Sequence, residues 1–102
     1  MRILFTEYAK WELEDAVSYY ELVHSGLGKR FEVEVKQAVS RIAQYPEAWS
    51  VERGEIRKCI MHKFPYKLLY SIEKEHILII AVAHLHRKPG YWINRRGSNT
   101  KM

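Results

Sequence analysis

Cysteine occurs once in these 102 residues, at Cys59, so no intrachain disulfide can staple the fold and no cysteine cluster can hold a metal. A reducing, cytoplasmic setting is the simplest expectation. Long apolar runs are also missing. The longest, Ile77 to Ala83, falls far short of the roughly 20 residues that a membrane-spanning helix needs, so no membrane association is expected. Glu7 interrupts the apolar start Ile3-Leu4-Phe5 before a signal-peptide core can form, and no export signal is expected either. There is no internal repeat and no low-complexity segment. Acidic residues vanish toward the C-terminus, where none follows Glu75.

What the chain does hold is the composition of a globular protein, 47% hydrophobic and 28% charged, in a length that suits one domain. The expected domain spans residues 1–96, followed by a loose polar tail at 97–102. Its net charge of +5 is unevenly spread. Residues 1–52 carry 6 Lys+Arg against 9 Asp+Glu, and residues 53–102 carry 11 against 3. A chain polarised in this way steers a polyanion or an acidic protein toward one side.

Arg2 to Phe5 is compatible with a short strand, and Thr6 with Glu7 behind it reads as a helix start. Ala9, Leu13, Ala16, Val17 and Tyr20 then fall on one helical face, with Glu12, Glu14, Asp15 and Glu21 expected on a solvated opposite face. The glycines in His24-Ser25-Gly26-Leu27-Gly28 break the helix. A second helix follows, its stripe formed by Phe31, Val35, Ala38, Val39, Ile42 and Tyr45, and Pro46 ends it.

After a polar connection containing Gly54, three strands are expected: Ile56 to His62, Tyr66 to Glu73, and His76 to Leu85. The Glu73-Lys74-Glu75 turn makes the last two an antiparallel hairpin. Tyr66, Leu68, Tyr70 and Ile72 share a core face, while Lys67, Leu69 and Ser71 share a partly wet one. The nearly continuous apolar run Ile77 to Ala83 suits an interior strand near the middle of the sheet. The expected fold is therefore α+β, in the order β-α-α-β-β-β, with a helical hairpin on one face of a small, mostly antiparallel sheet. Cys59 reads as a small buried hydrophobe.

Arg87, Lys88, Arg95 and Arg96 place four cations within ten positions, interleaved with Tyr91 and Trp92. Such groups suit phosphate contact and base stacking, and equally an acidic protein surface. Trp92 also suits a plainer role as cover for the end of the sheet. His84 and His86 share a strand face, but no third ligand stands at a recognisable spacing, so no metal and no cofactor is expected.

The tract Phe64-Pro65-Tyr66-Lys67-Leu68-Leu69-Tyr70, the run Ile77 to Ala83, and His84-Leu85-His86-Arg87-Lys88-Pro89 with Trp92 and Arg95 resemble the RelE/ParE superfamily of type II toxin–antitoxin toxins. Ala9, Leu13, Phe31 and Pro46 stand where that family has its spaced markers, so the resemblance covers nearly the whole chain. The histidine-arginine-lysine-proline tract with Trp92 and a following arginine is more similar to the ParE branch, which is associated with poisoning DNA gyrase. The resemblance implies a toxin held in a hetero-oligomer by a cognate antitoxin, with Arg87, Lys88, Trp92, Arg95 and Arg96 contacting the target.

The RelE branch instead cleaves mRNA on the ribosome, a reaction that needs cations for the phosphate and groups for proton transfer. Lys58, Lys67 and Arg87 fall at or near the positions of its basic catalytic side chains, with His62, His84, His86 and Tyr91 available to exchange protons. Ile60, however, stands where those members carry a second lysine, and Trp92-Ile93 replaces a tyrosine. A third alternative is a non-toxic relative that retains only antitoxin binding.

Overall fold

The computed structural model describes residues 1–95, so Arg96 and the expected tail at 97–102 lie outside the described residues. The elements are β1 (Arg2–Phe5), α1 (Glu7–Val23), α2 (Leu27–Gln44), β2 (Val51–Arg53), β3 (Ile56–Ile60), β4 (Tyr66–Ile72) and β5 (His76–His84), with one 3₁₀ turn at Ile93–Arg95. Two helices pack on a five-stranded sheet of order β1-β5-β4-β3-β2. The α+β class and the helical hairpin agree with expectation. One strand of the sheet was not expected.

The connection before β3 is itself a strand. Val51 and Arg53 pair with Arg57 and Ile56, and Gly54 at φ 55° makes the tight reversal between them. Three residues are too few for an alternation pattern to register. As expected, the apolar strand β5 is interior and near the middle of the sheet, flanked by a parallel β1 and by β4, which holds the centre. Burial on both faces needs only a neighbour on each side, so the apolar run located β5 without ranking it.

Thr6 joins strand to helix. Its hydroxyl oxygen accepts the Ala9 N–H at 3.0 Å as an N-cap and donates to the Ile80 carbonyl at 3.2 Å. Gly26, at φ 89°, opens α2 without a side-chain cap, and the Glu21 carboxylate takes that role by accepting the N–H groups of Gly26 and Gly28 at 2.9 and 3.1 Å. Gly28 also lets the helices touch: a Cβ there would lie 2.5 Å from the Val17 carbonyl oxygen. Gly28→Ala should therefore force the helices apart and cost about 2 kcal/mol, lowering the thermal midpoint by about 8–16 °C. A calorimetric midpoint equal to that of the parent chain would contradict this close approach.

The helix side of the sheet holds the larger core. Phe31, Val35, Ala38 and Ile42 from α2 and Ala9 and Ala16 from α1 meet Cys59, Leu68, Tyr70, Ile77, Ile79 and Val82. Tyr45 was expected to continue the α2 stripe but is exposed, because it is the C-cap and has left helical geometry at φ −141°. The opposite face is not wet as expected. Leu69 and Ser71 are fully buried, and Leu4, Ile56, Leu69, Leu78, Ile80, Ala81 and Ala83 form a second cluster closed over by Trp92 and Tyr91. The segment after β5 folds back across the sheet and supplies that cover.

Tyr70 ties the centre of the sheet to the loop after α2 by donating to the Pro46 carbonyl at 2.6 Å. Burial pushes its phenol up to about 12. The folded state thus holds this proton after the unfolded chain has lost it near 10, so the stability it contributes is complete below about pH 10 and is lost as pH rises toward 12. Tyr70→Phe should flatten the alkaline fall in urea-unfolding stability; an unchanged slope would remove Tyr70 as its source.

Candidate functional site

The site forms where β5 outruns its neighbour. β1 ends at Phe5, opposite Ile79, so the β5 backbone beyond that point has an open edge. At the same place β5 carries a bulge. Leu69 pairs with Ala81 and Tyr70 with Ile79, which leaves Ile80 as the extra residue. The bulge shifts the alternation: Ile77, Ile79 and Val82 face the helices, whereas Leu78, Ile80, Ala81 and Ala83 face away. His84, two residues after Val82, is consequently turned toward α1.

Glu12 of α1 fills the open edge. Its Oε1 accepts the Val82 N–H at 2.9 Å and an Arg95 guanidinium N–H at 2.8 Å. Its Oε2 accepts the Tyr91 hydroxyl at 2.7 Å and the second Arg95 nitrogen at 3.0 Å. Arg95 also donates to the Ile80 carbonyl at 3.3 Å, so one bidentate ion pair satisfies groups of both signs on the exposed β5 backbone. Glu12 was expected on a solvated face. It follows Ala9 by three positions and precedes Ala16 by four, both in-phase spacings on a helix, so it lies at the edge of the buried stripe.

Around this pair the rings and guanidinium groups alternate. Trp11 meets Tyr8 edge-on at 5.8 Å, Arg95 lies 4.9 Å from the Tyr8 ring and 4.8 Å from that of Tyr91, and Arg87 lies over the Tyr91 ring at 3.8 Å. Burial and the Glu12 carboxylate beside it raise the Tyr91 phenol, which keeps it a hydrogen-bond donor. The ladder ends in two exposed groups, Trp11 (54%) and the Arg87 side chain (53%). Tyr8 and Trp11 were not singled out in the sequence, and Glu12 was read there only as part of a solvated face. The signal available was the presence of large aromatics on the outer side of an already amphipathic helix.

The five residues expected at a target surface thus have different fates. Arg87 and Lys88 are exposed, with Arg87 4.0 Å from Glu12. Trp92 is buried, 5% exposed, and takes the plainer role of covering the sheet. The Arg95 side chain is 13% exposed and bound to Glu12. Arg96 lies outside the described residues.

Of the residues expected of a nuclease, His84, His86, Arg87 and Tyr91 are brought together, and Lys58 and Lys67 are not. Lys58 and Lys67 alternate with the inward-facing Cys59 and Leu68, so they lie on the face away from the helices. Glu52 holds both, at 3.7 Å from Lys58 and 3.1 Å from Lys67. His84 stands on the other face in a cleft of about 300 Å³ with Glu12, Asp15, Tyr19, Tyr66 and Arg87. Its ring meets Tyr66 edge-on at 5.1 Å, and its Nδ1 accepts the His86 N–H at 3.1 Å, which places the proton of the neutral ring on Nε2. His62 and His86 are exposed. Among the described residues, no three His, Cys, Asp or Glu side chains gather in a way that could hold a metal.

Comparison with known proteins bears on the same region. The sequence model for the ParE toxin of type II toxin-antitoxin system, parDE, matches residues 3–89. Among solved structures, the chromosomal ParDE TA system from P. aeruginosa contains a chain similar in fold, with a TM-score of 0.74 at 14% identity over 82% of this chain and 95% of that one. No curated protein matches. No helix among the described residues is long and apolar enough to cross a membrane. The match over residues 3–89 takes in both helices, all five strands and the His84–Pro89 tract, and the chain belongs to the ParE toxin family of type II toxin–antitoxin systems.

Proposed function

We propose that this chain is the toxin of a two-component module, that it arrests growth by binding DNA gyrase in the cytoplasm, and that a cognate antitoxin neutralises it within a hetero-oligomer. The observation that carries the choice of binding over cutting is the separation of Lys58 and Lys67 from the other candidate nuclease groups. Lys58 and Lys67 lie across the sheet from His84 and are already engaged by Glu52. Phosphoryl chemistry on RNA needs several cations converging with the proton-transfer groups on one phosphate, and of the three basic candidates only Arg87 lies beside the histidines. The opposing arrangement favours a recognition surface, with Arg87 and Lys88 as its exposed cations and Trp11 at the far end of the same ladder.

The test compares inhibition of gyrase supercoiling with mRNA cleavage during translation, using the purified chain. Supercoiling should be inhibited and mRNA left intact. Cleavage with unaffected supercoiling would instead establish a RelE-like endoribonuclease, and activity in neither assay would point to a non-toxic relative that retains only antitoxin binding. Arg87→Ala removes an exposed side chain whose loss should cost no more than about 1 kcal/mol of stability. We expect it to abolish growth arrest while leaving the circular dichroism spectrum unchanged; persistent arrest would exclude this tract from the functional surface.

A further inference from the structure

A second cleft lies away from the Glu12 cluster, between the N-terminal half of α2 and the connection from β3 to β4. It measures about 360 Å³ and has an apolar floor of Leu27, Val33 and Phe64. Phe64 is held firmly there, with its ring 4.9 Å from Tyr20 and 5.0 Å from Phe31. Lys29, Arg30 and Lys63 stand on the walls. Lys29 reaches Glu32 at 3.4 Å in an exposed pair of little strength. The Arg30 and Lys63 side chains are exposed and make no ion pair or hydrogen bond among the described residues.

Glu34 is the one acidic group on the cleft wall, and it is nine-tenths buried, with an Oε1 that has no hydrogen-bond partner. Three cations against one enclosed carboxylate leave the mouth positive. The end of α2 is not the source of this preference, because Glu21 already occupies the N–H groups of Gly26 and Gly28. An apolar floor with a cationic rim is complementary to a segment that presents an apolar side chain flanked by carboxylates. Nucleic acid fits less well, since Phe64 is the single aromatic ring on the lining and is already packed edge-on.

We propose that this cleft docks an acidic amphipathic peptide segment of a partner protein, with an apolar side chain on Phe64 and Val33 and carboxylates on Arg30 and Lys63. The proposal rests on the reading that an antitoxin covers this chain, and names the chemistry of the antitoxin segment that does so. It places that contact apart from Arg87 and Lys88, so neutralisation through this cleft does not require direct cover of the target surface.

The experiment titrates the isotopically labelled full chain with an amphipathic Leu/Glu peptide, its Leu/Lys and Leu/Gln counterparts, and a short oligothymidylate. The Leu/Glu peptide should shift the amides of Leu27 to Gln37, Lys63 and Phe64. Its affinity should fall about tenfold in Arg30→Glu/Lys63→Glu, which should in turn gain affinity for the Leu/Lys peptide. Arg2→Glu/Lys74→Glu changes net charge equally at other exposed positions and should bind as the parent does. Shifts centred on Arg87 and Lys88, equal binding by both double variants, or preferential binding of the oligonucleotide at these amides would each overturn the proposal. The gyrase assay separates the two readings. A cleft that binds peptide in a chain without effect on gyrase leaves this inference standing and removes the target, and the reverse pattern does the opposite.

Discussion

Glu12→Ala should unfold this chain more readily than any other single change at the site, by about 3 kcal/mol, with a thermal midpoint at least about 12 °C lower. The substitution strands several groups at once. Arg95 remains as a mostly buried cation, the Val82 N–H and the Tyr91 hydroxyl lose their acceptor, and the edge of β5 beyond Phe5 is left unprotected. Removing one partner of a buried pair costs more than the pair contributes, because the desolvated charge stays behind. Glu12→Gln keeps an acceptor for Val82 and should cost only about 1–2 kcal/mol. Hydrogen exchange at Val82 distinguishes the two: fast in Glu12→Ala, still protected in Glu12→Gln. Equal protection in both variants would show that the carboxylate does not guard this edge.

The same substitution bears on function. Tyr91 and Arg95 lose their anchor to α1, and Arg87 loses both its nearby carboxylate and a fixed ring to lie on. A folded Glu12→Gln chain should therefore inhibit gyrase less than the parent despite retaining every exposed cation. Full inhibition by that variant would mean that the ordering of Arg87 by this cluster is irrelevant to target binding.

Phe31→Ala should lower stability by about 3–5 kcal/mol, a large share of what a domain of this size has to lose. Phe31 is fully buried and lies within 5.3 Å of the Tyr20 ring, 5.0 Å of Phe64 and 4.9 Å of Tyr66. It thus joins α1, α2, the β3–β4 connection and the start of β4 in one aromatic cluster. The cavity left by alanine cannot be filled by shifting a single neighbour. Phe31→Leu should retain more than half of the lost stability in urea titrations; equal loss in both variants would show that ring contacts, and not filled volume, decide the cost. Peptide docking should weaken alongside, because Phe64 forms the floor of the α2 cleft.

The helices were legible because their apolar residues recur in phase: Ala9, Leu13, Ala16, Val17 and Tyr20 on one, and Phe31, Val35, Ala38 and Ile42 on the other, all reach the core. The β4–β5 hairpin was legible from a short polar turn between apolar runs. The site was less so, for a definite reason. Its chemistry depends on partners 70 to 83 residues apart, such as Glu12 with Val82 and with Arg95, and periodicity reports only local neighbours. The bulge at Ile80 was invisible too, since every residue from Ile77 to Ala83 is apolar and a shift in facing leaves no mark on such a run. Arg87 and Lys88 were found as exposed cations. Trp92 and Arg95, read from the same cluster, are consumed by the fold.

The parallel pairing of β1 with β5 has a consequence for synthesis. Arg2 finds its partner at His76, so at about 5–20 residues per second the first strand waits roughly 4–15 s on the ribosome before its neighbour exists. During that wait the apolar stripe of the helical hairpin has no complete sheet to cover it. Glu12 then waits longer still, for Tyr91 and Arg95. The ordered cationic edge can therefore form only once the C-terminal residues have been made, which makes it one of the last features of the fold to become possible.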